Sequence, residues 1–212
     1  MSMDADLLAK DLWELNGEVL DGDGLPKKAT SEMKDYAKGL IAMLSVGIVS
    51  HLPLTVSGSA APGAPLLSGA ASGGRILGLL GPTMAAIAGK DPVIFATMLL
   101  EANAIATYIL ASGLVNFDTG SIEGTSTESA SPGPLTLGKG TQGKIVGLDG
   151  GALAVLVASA TGITGPTSKD HYSVVVKHIM DNAEVTYLPN TVLGSMAGGT
   201  LVAGLAAGGT IA

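Results

Sequence analysis

The sequence predicts an α+β protein built from three tandem units, each a helix, a strand, a Gly/Pro-rich arm and a second strand, with the third unit shortened. Three observations support this fold class: an internal repeat, a helix-type apolar spacing at the start of each unit, and 31 glycines among 212 residues. An amphipathic helix precedes the units. The predicted segments are 1–28 for the N-terminal helix and turn, 29–90 for unit 1, 91–165 for unit 2, and 166–212 for unit 3.

The repeat becomes visible when two long stretches of the chain are aligned. Gly47 aligns with Gly113, and Ile76 aligns with Ile145, so that small loop insertions account for the change in offset. A third, shorter copy places Ile211 at the same position as those two isoleucines. Because a flexible linker has no reason to return with its glycines and isoleucines in step, these segments are predicted to be structural.

The helices are predicted from apolar spacing and from capping residues. The first covers residues 4–19, and the helix of unit 1 begins after Thr30 or Ser31, either of which can cap it. In unit 2, Asp91 and Pro92 form an N-cap and first-turn pair, and the uniformly apolar residues that follow predict a buried central helix. The helix of unit 3 covers residues 172–180. Short apolar helices are expected to close units 1 and 2.

Each unit's helix is followed by an alternating stretch that predicts a strand, then by an arm, then by a second strand. The first strands are predicted at residues 48–56, 114–122 and 185–192, and the second strands at 74–79, 143–148 and 209–212. Two arms, at 56–74 and 123–143, are rich in Gly, Pro, Ser and Thr. Such a composition buries little apolar surface, so the arms are expected to become ordered only against another chain.

Composition excludes several classes of protein. The net charge is −7 and only 11 residues are Lys or Arg, so a nucleic-acid partner is not expected. The chain has no cysteine, which excludes a disulfide framework and thiolate metal sites. Acidic residues at Asp4, Asp6 and Asp11 do not match a signal peptide, and the expected site of synthesis is a cytoplasm.

Three apolar segments raise the question of a membrane, at residues 40–54, 92–117 and 191–212. The first holds His51, and the second holds Glu101 near its middle, where an ionisable group is costly in lipid. The third is uncharged and has two GxxxG spacings, which in an apolar helix indicate helix dimerisation. Membrane insertion through residues 191–212 is therefore the alternative function.

Two motifs suggest a ligand and also have a simpler structural interpretation. Residues 138–145, GKGTQGKI, match GxGxxG and nearly match a phosphate-binding loop, but Ile145 stands where a Ser or Thr would reach magnesium. A glycine-containing hairpin turn is the preferred interpretation. His171 and His178 are seven residues apart, wider than usual zinc-ligand spacing, so they are expected to be solvated. No cofactor, metal site or catalytic set is predicted, and the protein is expected not to be an enzyme.

The remaining interpretation is that the protein is a subunit of a larger protein assembly. Arms of small residues can lie along a neighbouring backbone, and exposed strands can be completed by another subunit. Candidate contacts between subunits are the single tryptophan and the leucines that stand beside the arm prolines: Trp13, Leu66, Leu67, Leu135 and Leu137. Expected partners are further copies of the chain and other subunits of one particle.

The two arms, LTVSGSAAPGAPLLSGAASGG and GTSTESASPGPLTLGKGTQG, resemble those of virion structural proteins of tailed bacteriophages. The cysteine-free start without a signal peptide contributes to the likeness. The resemblance implies a non-enzymatic subunit of a tail, baseplate, neck or capsid, assembled in the host cytoplasm into a symmetric virion. A third hypothesis is a ligand-binding protein that uses a cleft between units.

Overall fold

The computed structural model describes residues 3–15, 31–60, 66–126, 133–165 and 168–212. These residues form six helices and seven strands, so the protein is mixed α+β. They divide into two compact units, each assembled from three separate stretches of chain. The helical unit comprises Met1–Val46, Leu79–Ser112 and Leu148–Ala183, and the barrel unit comprises Gly47–Gly78, Gly113–Gly147 and Glu184–Ala212.

The helical unit is a ring of helices in which each helix packs against the next in chain order and the last packs against the first. The helices are α1 (Ala5–Leu15), α2 (Ser31–Ser45), α3 (Gly81–Ala88), α4 (Pro92–Ser112), α5 (Gly150–Thr161) and α6 (Ser168–Asn182). Their inward faces are aliphatic and fully buried, as at Leu12, Leu40 and Ile105. The helices predicted in this part of the chain are present. Residues 16–19 of the predicted first helix lie outside the described residues, and the ends of the other helices differ by a few residues.

Acidic side chains start three of these helices. The Asp4 carboxylate accepts a hydrogen bond from the Asp6 amide at 2.8 Å, and the Asp91 carboxylate accepts one from the Val93 amide at 2.8 Å. Asp149 caps α5 in the same way, through the Ala152 amide at 2.7 Å. Each contact satisfies an amide that has no partner within its helix, which explains where these helices begin.

The barrel unit is a closed antiparallel barrel of six strands. The strands are β1 (Ile48–Ser59), β2 (Leu66–Leu77), β3 (Leu114–Ser126), β4 (Gly133–Val146), β5 (Glu184–Tyr187), β6 (Val192–Ala197) and β7 (Thr200–Ile211). Their order is β1-β2-β3-β4-β5-β7, and pairing of β7 with β1 closes the barrel. The short β6 follows β5 after a turn and pairs with both β4 and β7.

Three rings fill the middle of the barrel: His51 from β1, Phe117 from β3 and Tyr187 from β5. Their centroids lie 5.3 to 5.7 Å apart, and all three side chains are at least 98% buried. Glycines on the neighbouring strands leave space for the rings. A Cβ on Gly143 would lie 2.7 Å from Phe117 Cε2, and one on Gly209 would lie 2.8 Å from Tyr187 Cε1.

The predicted arms differ from the structure. Strand β1 continues to Ser59, and β2 begins at Leu66, so much of the 56–74 arm is strand paired within its own chain. In the same way, β3 and β4 occupy most of the 123–143 arm. Glycine is depleted in strands, but barrel closure gives every such segment two hydrogen-bonding neighbours. Residues 61–65 and 127–132 of these arms lie outside the described residues.

Two further predictions are corrected. The GxxxG spacings of residues 191–212 lie in strands β6 and β7 and in the turn between them, so they do not form a helix that could insert into a membrane. The helix α4 is buried only in its second half, because residues 92–96 are all exposed. In the described part of the chain, α4 is the one helix that is long and apolar enough to cross a membrane, a test that core helices also pass.

Candidate functional site

The first turns of α4 form an exposed apolar surface on the helical unit. Val93 is 85% exposed and Leu100 is 48% exposed, and Ala96 between them is also exposed. These three residues, at positions i, i+3 and i+7, lie on one face of the helix. The sequence of this part of α4, PVIFATMLL, contains no charged residue. We call the face formed by Val93, Ala96 and Leu100 the α4 stripe.

The second half of the same helix has a different environment. Ile105 and Ile109 are fully buried, since this half lies within the packed helical unit. An exposed apolar stripe in continuity with a buried helix is unusual on the surface of a monomer, where contiguous apolar patches are small. The α4 stripe is therefore a candidate interaction surface.

The predicted contact residues occupy different environments. Trp13 is 8% exposed and Leu135 is 5% exposed, so both contribute to the core of their own unit. Leu137 is 54% exposed on β4 and is available to a partner. The backbone of Leu66 and Leu67 belongs to β2, and their side chains lie outside the described residues.

A second candidate site is a polar cleft within the helical unit. The Tyr172 hydroxyl of α6 donates a hydrogen bond of 2.9 Å to the Glu101 carboxylate of α4. The Tyr36 hydroxyl of α2 lies near the same carboxylate without a well-aligned hydrogen bond, so it has no partner among the described residues. His171 meets the Tyr36 ring edge to face, with centroids 5.3 Å apart, and packs against Tyr172 at 4.9 Å.

Burial controls the protonation of this group. It raises the pKa of the Glu101 carboxyl, a shift that the hydrogen bond from Tyr172 and the nearby Tyr36 hydroxyl partly oppose. It also raises the pKa of the Tyr36 and Tyr172 hydroxyls, and the nearby Glu101 charge adds to both shifts. The pKa of His171 is lowered to about 4 by burial, so its imidazole is neutral near pH 7.

These side chains line an open cleft with a volume of about 330 Å³. Its polar and aromatic walls consist of Glu101, Tyr36, Tyr172 and His171. The exposed Ile163 lies at its edge. This volume is at the lower end of the range for small-molecule sites. We call it the Glu101 cleft.

The His51 group in the barrel is a fully satisfied core network. His51 Nε2 lies 3.0 Å from the Val115 carbonyl, and because a carbonyl only accepts, Nε2 carries the proton. His51 Nδ1 then accepts from the Tyr187 hydroxyl at 2.8 Å. Burial lowers the pKa of His51, which keeps this tautomer neutral. Both ring nitrogens are used within the barrel, so the group serves structure.

The two ligand motifs have structural positions. Residues 138–145 lie inside strand β4, so neither a phosphate loop nor the expected hairpin turn forms there. His178 is 3% exposed, which corrects the expectation that it is solvated, and its Nδ1 lies 3.9 Å from the Asp11 carboxylate. Across the described residues, no group of three or more His, Asp or Glu side chains could hold a metal ion.

No protein-family model, curated protein or solved structure matches the chain. The candidate sites therefore depend on the geometry of this protein alone. Sequence reasoning did not assign the Glu101 cleft, although one signal was present: Glu101 is the single charged residue in α4. The tyrosines that meet it come from α2 and α6, and no spacing in the sequence relates them.

Proposed function

We propose that the protein is a non-enzymatic structural subunit of a symmetric assembly, and that copies of the chain meet through the α4 stripe. The observation that carries this proposal is the exposed face of the uncharged first turns of α4, in which Val93 is 85% exposed. Burying one large aliphatic side chain contributes roughly 1.5–3 kcal/mol, so several such residues from each copy would stabilise a contact.

The occupant of the stripe is a second copy of the chain. A chain of net charge −7 repels its copies, so a stable self-contact is best made where no charge must be buried. The α4 stripe meets this condition. In a two-fold contact the same patch faces itself, and an apolar stripe without charges is complementary to its own copy.

We also propose that the fold derives from three tandem helix–hairpin units. Equivalent positions in the barrel support this. The core rings occupy the fourth positions from the starts of β1, β3 and β5: His51, Phe117 and Tyr187. A positive φ recurs three residues after each ring: Leu54 at 72°, Gly120 at 90° and Asn190 at 68°. Conformations that L-residues rarely adopt are not expected to coincide in three hairpins without a common origin.

The proposed assembly is the virion of a tailed bacteriophage, with other structural subunits of the particle as further partners. The resemblance of the two Gly/Pro-rich segments supports this choice. Exposed apolar side chains on the barrel unit, including Leu137 at 54% and Leu188 at 57%, offer contact sites for such partners. Detection of the chain by mass spectrometry in purified particles, at a stoichiometry that fits their symmetry, would test the virion assignment.

Sedimentation velocity tests the self-contact. We expect the wild-type chain to associate at micromolar concentration and Val93→Glu to shift it toward monomer by at least tenfold in the dissociation constant. Val155→Glu is the matched control, because Val155 is 71% exposed and belongs to a different helix, α5. A monomeric wild type, or equal association of all three proteins, would contradict the proposal. If the wild type floats with lipid vesicles and Val93→Glu does not, the α4 stripe binds a membrane and not a second copy.

A further inference from the structure

We propose that the Glu101 cleft binds a small organic cation, namely a primary ammonium group on a short apolar chain. The cleft holds a largely buried carboxylate, two tyrosine hydroxyls and a histidine ring, and it is open to a ligand. This site is independent of the proposed assembly, because its lining residues are not those of the α4 stripe.

The first argument is the charge of Glu101. Among the described residues, no Lys, Arg or His forms an ion pair with this carboxylate; the ion pairs present involve other acids, such as Asp35 and Glu123. Its hydrogen-bond partner is the neutral Tyr172 hydroxyl. A carboxylate removed from water without a cation is costly, and a bound ammonium group would supply the missing charge.

The second argument is the buried Tyr36 hydroxyl. It has no hydrogen-bond partner among the described residues, and Tyr36 is 7% exposed and lines the cleft. A buried hydroxyl without a partner is destabilising. An ammonium group has three donors, so it can donate to the Glu101 carboxylate and to the Tyr36 oxygen together.

The third argument concerns the walls of the cleft. The His171 ring meets the rings of Tyr36 and Tyr172 edge to face, and all three residues line the cleft together with Glu101. Aromatic faces attract cations. His171 remains neutral near pH 7, because burial lowers its pKa to about 4, so it does not compete as a cation. The exposed side chain of Ile163 can contact a short alkyl chain at the edge.

The chemistry of the walls also selects against other ligands. An anion would meet the Glu101 carboxylate, and a bare metal ion would find one carboxylate and no further acidic or histidine cluster among the described residues. A neutral alcohol could use the hydroxyl of Tyr36 but would leave the carboxylate without a counter-charge. The cleft therefore favours an ammonium ligand over neutral and anionic molecules of the same size.

The test is a titration of ¹⁵N-labelled protein with n-butylammonium chloride, followed by amide chemical shifts. Potassium chloride at equal ionic strength and 1-butanol serve as ligand controls. We expect shifts that cluster around Tyr36, Glu101 and Tyr172, and a dissociation constant at least tenfold higher for 1-butanol. In Glu101→Gln, which keeps an acceptor for the Tyr172 hydroxyl, binding of butylammonium should also weaken at least tenfold.

The control variant is Asp170→Asn, which removes an exposed carboxylate next to His171. It should bind butylammonium like the wild type, and unchanged dispersion of the remaining amide peaks shows that both variants fold. Shifts spread over surface acids, equal affinity for 1-butanol, or equal affinity in Glu101→Gln would each overturn the proposal. None of these results depends on whether the chain self-associates.

Discussion

Gly143→Ala is predicted to destabilise the barrel unit by forcing a methyl group into the ring of Phe117. The new Cβ would lie 2.7 Å from Phe117 Cε2 and 2.8 Å from Cε1, whereas ordinary contacts between such carbon atoms begin at 3.4 Å. The ring must therefore move by more than half an ångström. It has little room to do so, because it also meets His51 at 5.7 Å and Tyr187 at 5.3 Å between centroids.

The magnitude follows from two opposing effects. Overpacking a core of this kind costs about 1–3 kcal/mol. Replacing glycine with alanine restricts the unfolded chain and returns about 0.4–1 kcal/mol, since the Gly143 backbone lies outside the left-handed region. We expect a net loss of about 1–2 kcal/mol in the free energy of unfolding, measured by urea denaturation with circular dichroism.

Two comparisons make this prediction specific. Gly165→Ala meets no atom within 4 Å, so it should leave stability unchanged or slightly raised. Phe117→Leu replaces the ring with a smaller side chain. In the Phe117→Leu background, Gly143→Ala should therefore lower the free energy of unfolding by less than it does in the wild type, and a double-mutant cycle measures this coupling. Wild-type stability of Gly143→Ala, or strict additivity with Phe117→Leu, would refute the reasoning.

Two further predictions concern the helical unit. Since the pKa of His171 is about 4 in the folded protein and about 6.5 unfolded, the unfolded state binds more protons between these values, and stability falls as pH decreases through that window. By pH 4, His171 should lower the free energy of unfolding by about 3 kcal/mol relative to neutral pH. Urea unfolding of the wild type and of His171→Gln at several pH values measures this loss, and a free energy of unfolding that changes equally with pH in both proteins would contradict it. Asp149→Ala removes the side-chain cap of α5 and should lower the free energy of unfolding by about 1 kcal/mol. Asp149→Asn keeps an oxygen that can accept the same hydrogen bond, so most of the wild-type stability should remain.

The helices could be predicted from sequence because their signals are local. Asp91 and Pro92 mark the start of α4, and the apolar spacing of the following residues marks its course. What local signals could not reveal is which part of α4 other helices cover. The exposure of Val93 depends on where α3 and α5 pack, and that is a property of the folded unit.

Closure of the barrel was not predictable from local pattern. Pairing of β1 with β7 joins Ile48 to Thr210, residues that are 162 positions apart in the sequence. Without this closure, the glycine- and serine-rich segments have no evident reason to be strands, and they were therefore predicted to be arms. The Glu101 cleft was missed for a related reason: Glu101 meets Tyr172 across 71 residues of sequence, and such contacts leave no periodic trace.

The most direct test of the proposed self-contact uses the absence of cysteine from the natural sequence. Ala96→Cys places one thiol at the centre of the α4 stripe, and Val155→Cys places one on the exposed face of α5. Under mild oxidation at micromolar concentration, Ala96→Cys is predicted to form a disulfide-linked dimer rapidly, and addition of Val93→Glu should suppress the cross-link. Equal, slow cross-linking of the two cysteine variants would contradict assembly through the α4 stripe.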